Sequence, residues 1–246
     1  DRLPDDANDG FVNIARNSAA KSPICNLYNT RSTVPWARAD PAMPATDTYI
    51  KIGGLAGTGT VANNSRTLEA SAVKLIFANE ADCEFTGGFT ENRSDTIKTV
   101  MSVKMAGRDG AKQIIHADAK FTGTVEVESG TLIMNSTTAL GKLTMTGGAF
   151  GGIEGGIIVS SAEWRGGDFI FYSADAMNGG WPDMVKIEGT FAKAGEGKIG
   201  IDFAGFDPAV CIEDGMVLEL ITAQALEGFS DDADEDFLAK NLANGF

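Results

Sequence analysis

Histidine and cysteine are scarce in this chain, and positive charge is outweighed. One histidine, His116, in 246 residues removes poly-histidine metal sites and makes any Ser-His-Asp or Cys-His scheme hang on one side chain. Enzyme readings must therefore lean on carboxylates. The three cysteines, Cys25, Cys83 and Cys211, contain no C-x-x-C pair, and their odd number leaves at least one thiol unpaired. No disulfide framework or zinc site follows, and they read as small buried hydrophobes, with one bridge as the alternative. The longest apolar runs, such as Ile157-Ile158-Val159, fall far short of the roughly 20 residues that cross a bilayer. No transmembrane helix and no signal peptide is read, and a start at Asp1 rather than Met reads as a processed or trimmed piece. Lys and Arg total 20 against 34 Asp and Glu, a net charge of −14, which is the wrong sign for neutralising phosphates. Nucleic acids and anionic membrane surfaces are poor partners on that ground.

What is present points to β structure. At 43% hydrophobic the chain can bury a core, and its 30 glycines against seven prolines suit short strands with tight turns. Between Phe121 and Phe171, Val125 and Val127 alternate with Glu126 and Glu128, Ser129-Gly130 turns, and Leu132 and Met134 follow. Leu143 and Met145, a turn at Gly147-Gly148, then Ile157, Val159, Trp164, Phe169 and Phe171 continue the pattern. Strands of three to five residues recur every 18 to 22 residues, which predicts a parallel β-helix with glycine corners, apolar side chains stacked inward, and Glu126, Glu128, Lys142, Thr144 and Thr146 outward. Trp164 falls among the core positions. An antiparallel sandwich or jelly roll is the alternative.

Three groups of residues carry a family resemblance. Gly107-Arg108-Asp109-Gly110 through Ile115, followed by Phe121-Thr122-Gly123-Thr124-Val125 through Leu132, resembles the recurrent unit of the autotransporter-associated β-strand repeat family. Ile52-Gly53-Gly54-Leu55 through Val61 and Phe85-Thr86-Gly87-Gly88-Phe89 are similar to its other coils, and Leu218-Glu219-Leu220-Ile221 through Phe229 is similar to its ending. The resemblance spans roughly 50 to 229 and implies an all-β, right-handed parallel β-helix exposed outside a bacterial cell, as in autotransporter passengers. A typical autotransporter ends in a translocating β-barrel of amphipathic strands, and nothing after Phe229 reads that way. The family includes adhesins, proteases and inert stalks, so it implies no one reaction.

The ends differ from the middle. Residues 1–45 hold five of the seven prolines and read as an irregular cap or first loose coils, 46–229 as the β-helix, and 230–246 as a C-terminal helix. In that helix Ser230 would be the N-cap, Asp231, Asp232, Asp234, Glu235 and Asp236 would face the positive end of the dipole, and Gly245 would stop it. The same acids resemble the opening of a calcium loop, but Phe237 and Ala243 stand where an EF-hand needs glycine and glutamate, so no metal is expected. Asn63, Asn92 and Asn135 open glycosylation triplets that composition alone explains. His116 and Asp118 would share one face of a strand, which would raise the imidazole's proton affinity.

Carboxylates and aromatics supply the candidate sites. In Ile199-Gly200-Ile201-Asp202-Phe203 the alternation puts Asp202 outward, and Asp183 lies one coil earlier. Stacked at about 4.8 Å, the two would share a proton as an acid-hydrolase dyad does, although neither sits in an Asp-Thr/Ser-Gly motif. Trp181, in a Gly-Gly-Trp-Pro turn, and Tyr172 are the candidate binding aromatics. The expectation is a secreted or surface-displayed, adhesin-like binding module that needs no cofactor and meets host glycoprotein or glycan. A carboxylate-dependent extracellular hydrolase acting on glycoprotein such as mucin, and an inert spacer, are the alternatives.

Overall fold

The structure is a computed structural model, and it describes residues 12–14, 24–27, 48–63, 71–91, 99–172, 184–205 and 219–241. In chain order the strands are β1 (Val12–Ile14), β2 (Ile24–Leu27), β3 (Thr48–Ile52), β4 (Leu55–Gly57), β5 (Thr60–Asn63) and β6 (Ser71–Phe77). There follow β7 (Cys83–Phe85), β8 (Gly88–Glu91), β9 (Thr99–Ala106), β10 (Lys112–Asp118), β11 (Val125–Ser129) and β12 (Thr131–Leu140). The rest are β13 (Leu143–Val159), β14 (Ala162–Tyr172), β15 (Val185–Lys193), β16 (Ile199–Gly205), β17 (Ile221–Glu227) and β18 (Phe237–Lys240), with one helical turn, α1 (Ala233–Asp236), before the last.

The protein is all-β, and every strand pairing among the described residues is parallel. Parallel neighbours cannot be joined by a tight hairpin. The antiparallel alternative is therefore excluded for these residues. Three ladders result. In ladder A, Cys83, Gln113, Leu132, Phe150, Phe169 and Ile201 are successive partners. In ladder B, Leu75, Val103, Val125, Leu143, Ala162, Phe191 and Leu226 succeed one another. Ladder C runs through Ser136, Ile157, Val185 and Ile221. Partners lie 18 or 19 residues apart from Gln113 to Phe169, but 30 apart from Cys83 to Gln113 and 32 from Phe169 to Ile201. The uniform 18 to 22 residue period thus holds only in the middle of the chain, because the longer steps carry additional residues between the same ladder positions.

Alternation decides which side chains meet. In β9 the burial runs strictly every second residue, and Met101, Val103 and Met105 are fully buried. Their ladder partners repeat the choice, so one core runs from Ile50 to Ile199 and includes Leu132, Leu143 and Trp164. Within it Phe150, Phe169 and Phe191 meet edge to face at centroid distances of 6.4 and 5.8 Å, and Phe191 meets Phe229 at 5.0 Å. The opposite face of ladder A departs from the polar exterior expected of it. Ile133 lies between two core residues, points the other way, and forms a second apolar cluster with Ile153 and Ile170. The corners need glycine where chains touch. A Cβ on Gly141 would lie 2.4 Å from the Gly123 carbonyl oxygen, the same oxygen that accepts the Gly141 N–H at 2.9 Å, and Gly148 turns with φ of 64°.

The C-terminal helix expected over 230–246 is corrected. Asp232, not Ser230, caps a single turn over 233–236, and Phe237–Lys240 then pairs with β16 as a strand. Phe237, Leu238, Ala239 and Lys240 find ladder partners there, and tertiary pairing overrides the local helical signal. At the other end, β1 and β2 pair in parallel with β4 and β5, so the ladders begin before residue 45.

Candidate functional site

The outer face of ladder B carries a polar array that runs across four strands. Lys104, Glu126, Thr144 and Glu163 are successive partners across four strands, so their side chains stand about 4.8 Å apart along the ladder. Alternation puts them outside because Val103, Val125, Leu143 and Ala162, one residue earlier, are buried. Lys74 Nζ pairs with Glu126 Oε1 at 2.8 Å, Lys104 pairs with Glu128, and Glu163 takes both Lys142 and Arg165. Hydrogen bonds from Lys142 and then Arg165 hold the Glu163 carboxyl below the usual carboxylate range.

Lys104, Glu126, Val127, Glu128, Thr144 and Thr146 line a shallow open groove of about 240 Å³ on this face. Its carboxylates are matched by lysines, the Thr144 hydroxyl can donate and accept, and the Thr146 hydroxyl, which donates to the Val127 carbonyl at 3.5 Å, can accept. Such a lining suits a polar, uncharged ligand.

The expected site residues fare unevenly. Asp183 and Trp181 lie outside the described residues. Tyr172 ends β14, where its backbone pairs with Gly205. Asp202 has Ile170 and Lys240 as ladder partners and accepts a hydrogen bond from Asn241 Nδ2 at 2.9 Å. The register slips between Ile115 and Asp118, and the His116 imidazole Nε2 stands 2.7 Å from Glu84 on β7. Burial would raise the Asp118 carboxyl, but the N–H and hydroxyl of Thr137, with Lys120, outweigh it and hold the group below its ordinary value.

Trp164 is buried and donates its indole N–H to the Gly167 carbonyl at 2.8 Å. Cys83 is a free, buried thiol pushed up by burial and then by Asp82. Asn63 and Asn135, which open two of the glycosylation triplets, are buried with their amides donating to the Val100 and His116 carbonyls. Among the described residues no group of three His, Cys, Asp or Glu is placed to hold a metal ion, and no helix is long and apolar enough to cross a membrane.

Sequence reasoning missed Lys74, Lys104, Glu163 and Arg165. Their signal was available only once register was known, since partners such as Lys74 and Glu126 stand 52 residues apart. It also missed Gln113, fully buried, whose amide accepts the Leu55 N–H and donates to the Leu55 carbonyl, both at 2.9 Å. One side chain there does the work of a neighbouring strand. No protein-family model, no curated protein and no solved structure matches this chain.

Proposed function

We propose that the chain is a parallel β-helix, a solenoid of three-sided coils, which works as an adhesin-like binding module displayed outside a bacterial cell. The usual hand of parallel crossovers makes the solenoid right-handed. The observation that carries the reading is the repeated parallel ladder itself. Every described strand has only parallel neighbours, and successive partners lie one coil apart through the middle of the chain. Such a stack is a rigid spacer whose outer faces are free to vary, the arrangement expected of a display scaffold.

The binding face is the outside of ladder B, and its ligand is a host glycan or glycoprotein. The groove between Lys104 and Thr146 offers paired charges and hydroxyls in a line, matching a polyhydroxylated chain lying along the solenoid axis. The net charge of −14 keeps the module soluble and repels anionic surfaces. The motif resemblance over residues 50–229 agrees with this placement outside the cell.

The test is to present the protein with a panel of host glycoproteins and neutral glycans between pH 3 and 8, measuring retention and cleavage together. Retention without turnover, weakened by Thr144→Ala with Thr146→Ala, is expected. Turnover of any of these substrates would replace the binding reading with the hydrolase one, and neither retention nor turnover would reduce the chain to a spacer.

A further inference from the structure

The last ladder position is held differently from those before it. Among the described residues β18 has one strand neighbour, β16; Leu238 is 50% exposed, and Phe237 is partly buried, stacked on Phe229. Polar contacts secure it instead. Lys240 Nζ donates to both carboxylate oxygens of Asp168, at 2.7 and 2.9 Å, and Asn241 Nδ2 donates to Asp202. Just ahead of the strand, Asp236 is 2% exposed, accepts the Ser230 N–H at 2.6 Å and pairs with Lys193 at 2.8 Å. Lys198 donates to the Asp234 carbonyl.

Apart from the Ser230 contact, these bonds tie residues 234–241 to β14, β15, β16 and the connection between the last two. Among the described residues, the charged groups that contact the segment are Asp168 from β14, Lys193 from β15, Lys198 from the connection, and Asp202 from β16. The segment itself brings Asp231, Asp232, Asp234, Glu235, Asp236 and Lys240. We propose that residues 230–241 form an electrostatically held clasp over the edge of β16, which lets go as a unit when the buried Asp236 carboxylate loses its charge.

Two physical facts make release a unit event. Lys193 and Asp236 are both largely buried, so protonating the acid leaves a lysine ammonium without its partner in a place water reaches poorly. The apolar packing in reserve is one side chain, Phe237 stacked on Phe229 at 5.8 Å, while Leu238 stays exposed, and segments with few buried contacts open at the low end of a protein's stability range. The hydrogen bond and charge of Lys193 hold the Asp236 carboxyl below its ordinary value. A carboxyl lowered in the fold stabilises it above the unfolded value of about 3.9, and that contribution fades as pH falls through the folded value. The clasp is therefore closed at neutral pH and opens in acid.

Hydrogen exchange read by mass spectrometry on the whole chain tests this. At pH 7, Asp236→Asn and, separately, Lys240→Met are expected to speed exchange of the 237–240 amides about tenfold while β11 to β13 stay as protected as before. The wild type is expected to show the same local loss at pH 3 once intrinsic rates are corrected for. Should Asp236→Asn fail to fold, Lys240→Met and the acid series carry the same reading. Unchanged exchange at 237–240, or equal loss of protection along the whole chain, would overturn the clasp.

Discussion

Phe169, whose ring meets Phe150 of its own ladder A and Phe191 of ladder B, is the position at which the packing of the core between ladders can be tried most severely. It is fully buried and stands between two rings, Phe150 at 6.4 Å and Phe191 at 5.8 Å, each met edge to face. Phe169→Ala empties the ring's volume in a place where the flanking strands are fixed by ladder hydrogen bonds and cannot close in. Truncations of this kind lose about 3–5 kcal/mol, the transfer of the ring plus the cavity left behind. The upper part of that range is expected, because two edge-to-face contacts worth about 0.5–1.5 kcal/mol each go with the ring. Phe169→Leu keeps an apolar filler without the ring and should fall between. Urea unfolding followed by far-ultraviolet circular dichroism, with the slope checked for constancy, gives the difference. A loss below about 1 kcal/mol for Phe169→Ala, the size of an ordinary surface change, would refute the stacked core.

Other outcomes follow from the same packing. Leu143→Ala, buried on ladder B, should lose about 2–5 kcal/mol, whereas Glu126→Ala, which breaks a partly exposed ion pair with Lys74 on the outer face, should lose at most about 1 kcal/mol; equal losses in urea would mean the two faces are exchanged. Gly141→Ala places a Cβ 2.4 Å from the Gly123 carbonyl, so a loss of about 1–3 kcal/mol is expected, and a neutral result would deny the close corner. Gln113→Ala strands the Leu55 N–H and carbonyl, and a thermal melt should report a loss of about 1–3 kcal/mol. Asp118, Glu163 and Asp236 all have carboxyls held below their ordinary values, so their contribution is complete above the unfolded carboxylate range of about 3.9–4.3 and fades below it. The urea midpoint should therefore fall between pH 5 and pH 3 and stay level from pH 6 to 8, and a midpoint that rises on acidification would contradict this sign.

Much of the interior was legible because it rests on alternation, which is local. Val125 and Val127 against Glu126 and Glu128 can be read from five consecutive residues, and the structure buries the first pair and turns out the second. Register was not legible in the same way. The pairing of Lys74 with Glu126 depends on how many residues each step of the ladder takes up, and those steps range from 18 to more than 30. The second apolar cluster around Ile133 was missed for a related reason. A strand buried on both faces shows no alternation, as in Thr131–Asn135, so nothing in that stretch says which side chains form the main core. At the C-terminus the acidic run after Ser230 carries a good local helical signal, yet only one turn forms. Phe237 stacks on Phe229 at 5.8 Å and continues as an edge strand, a contact no local rule anticipates.

Distances along one outer row of ladder B test the proposed solenoid. Lys51, Ile76, Lys104, Glu126, Thr144, Glu163 and Ala192 are successive partners, so Lys104 and Ala192 are four strand spacings apart and Lys51 and Ala192 six. With a spacing of about 4.8 Å these separations are about 19 and 29 Å between backbones. Spin labels placed at 104 and 192, and at 51 and 192, in a background whose cysteines are replaced by serine, report them by pulsed electron resonance. The second distance is expected to exceed the first by about 10 Å, two strand spacings. Equal distances, or a shorter one for the 51 and 192 pair, would contradict a linear stack of coils.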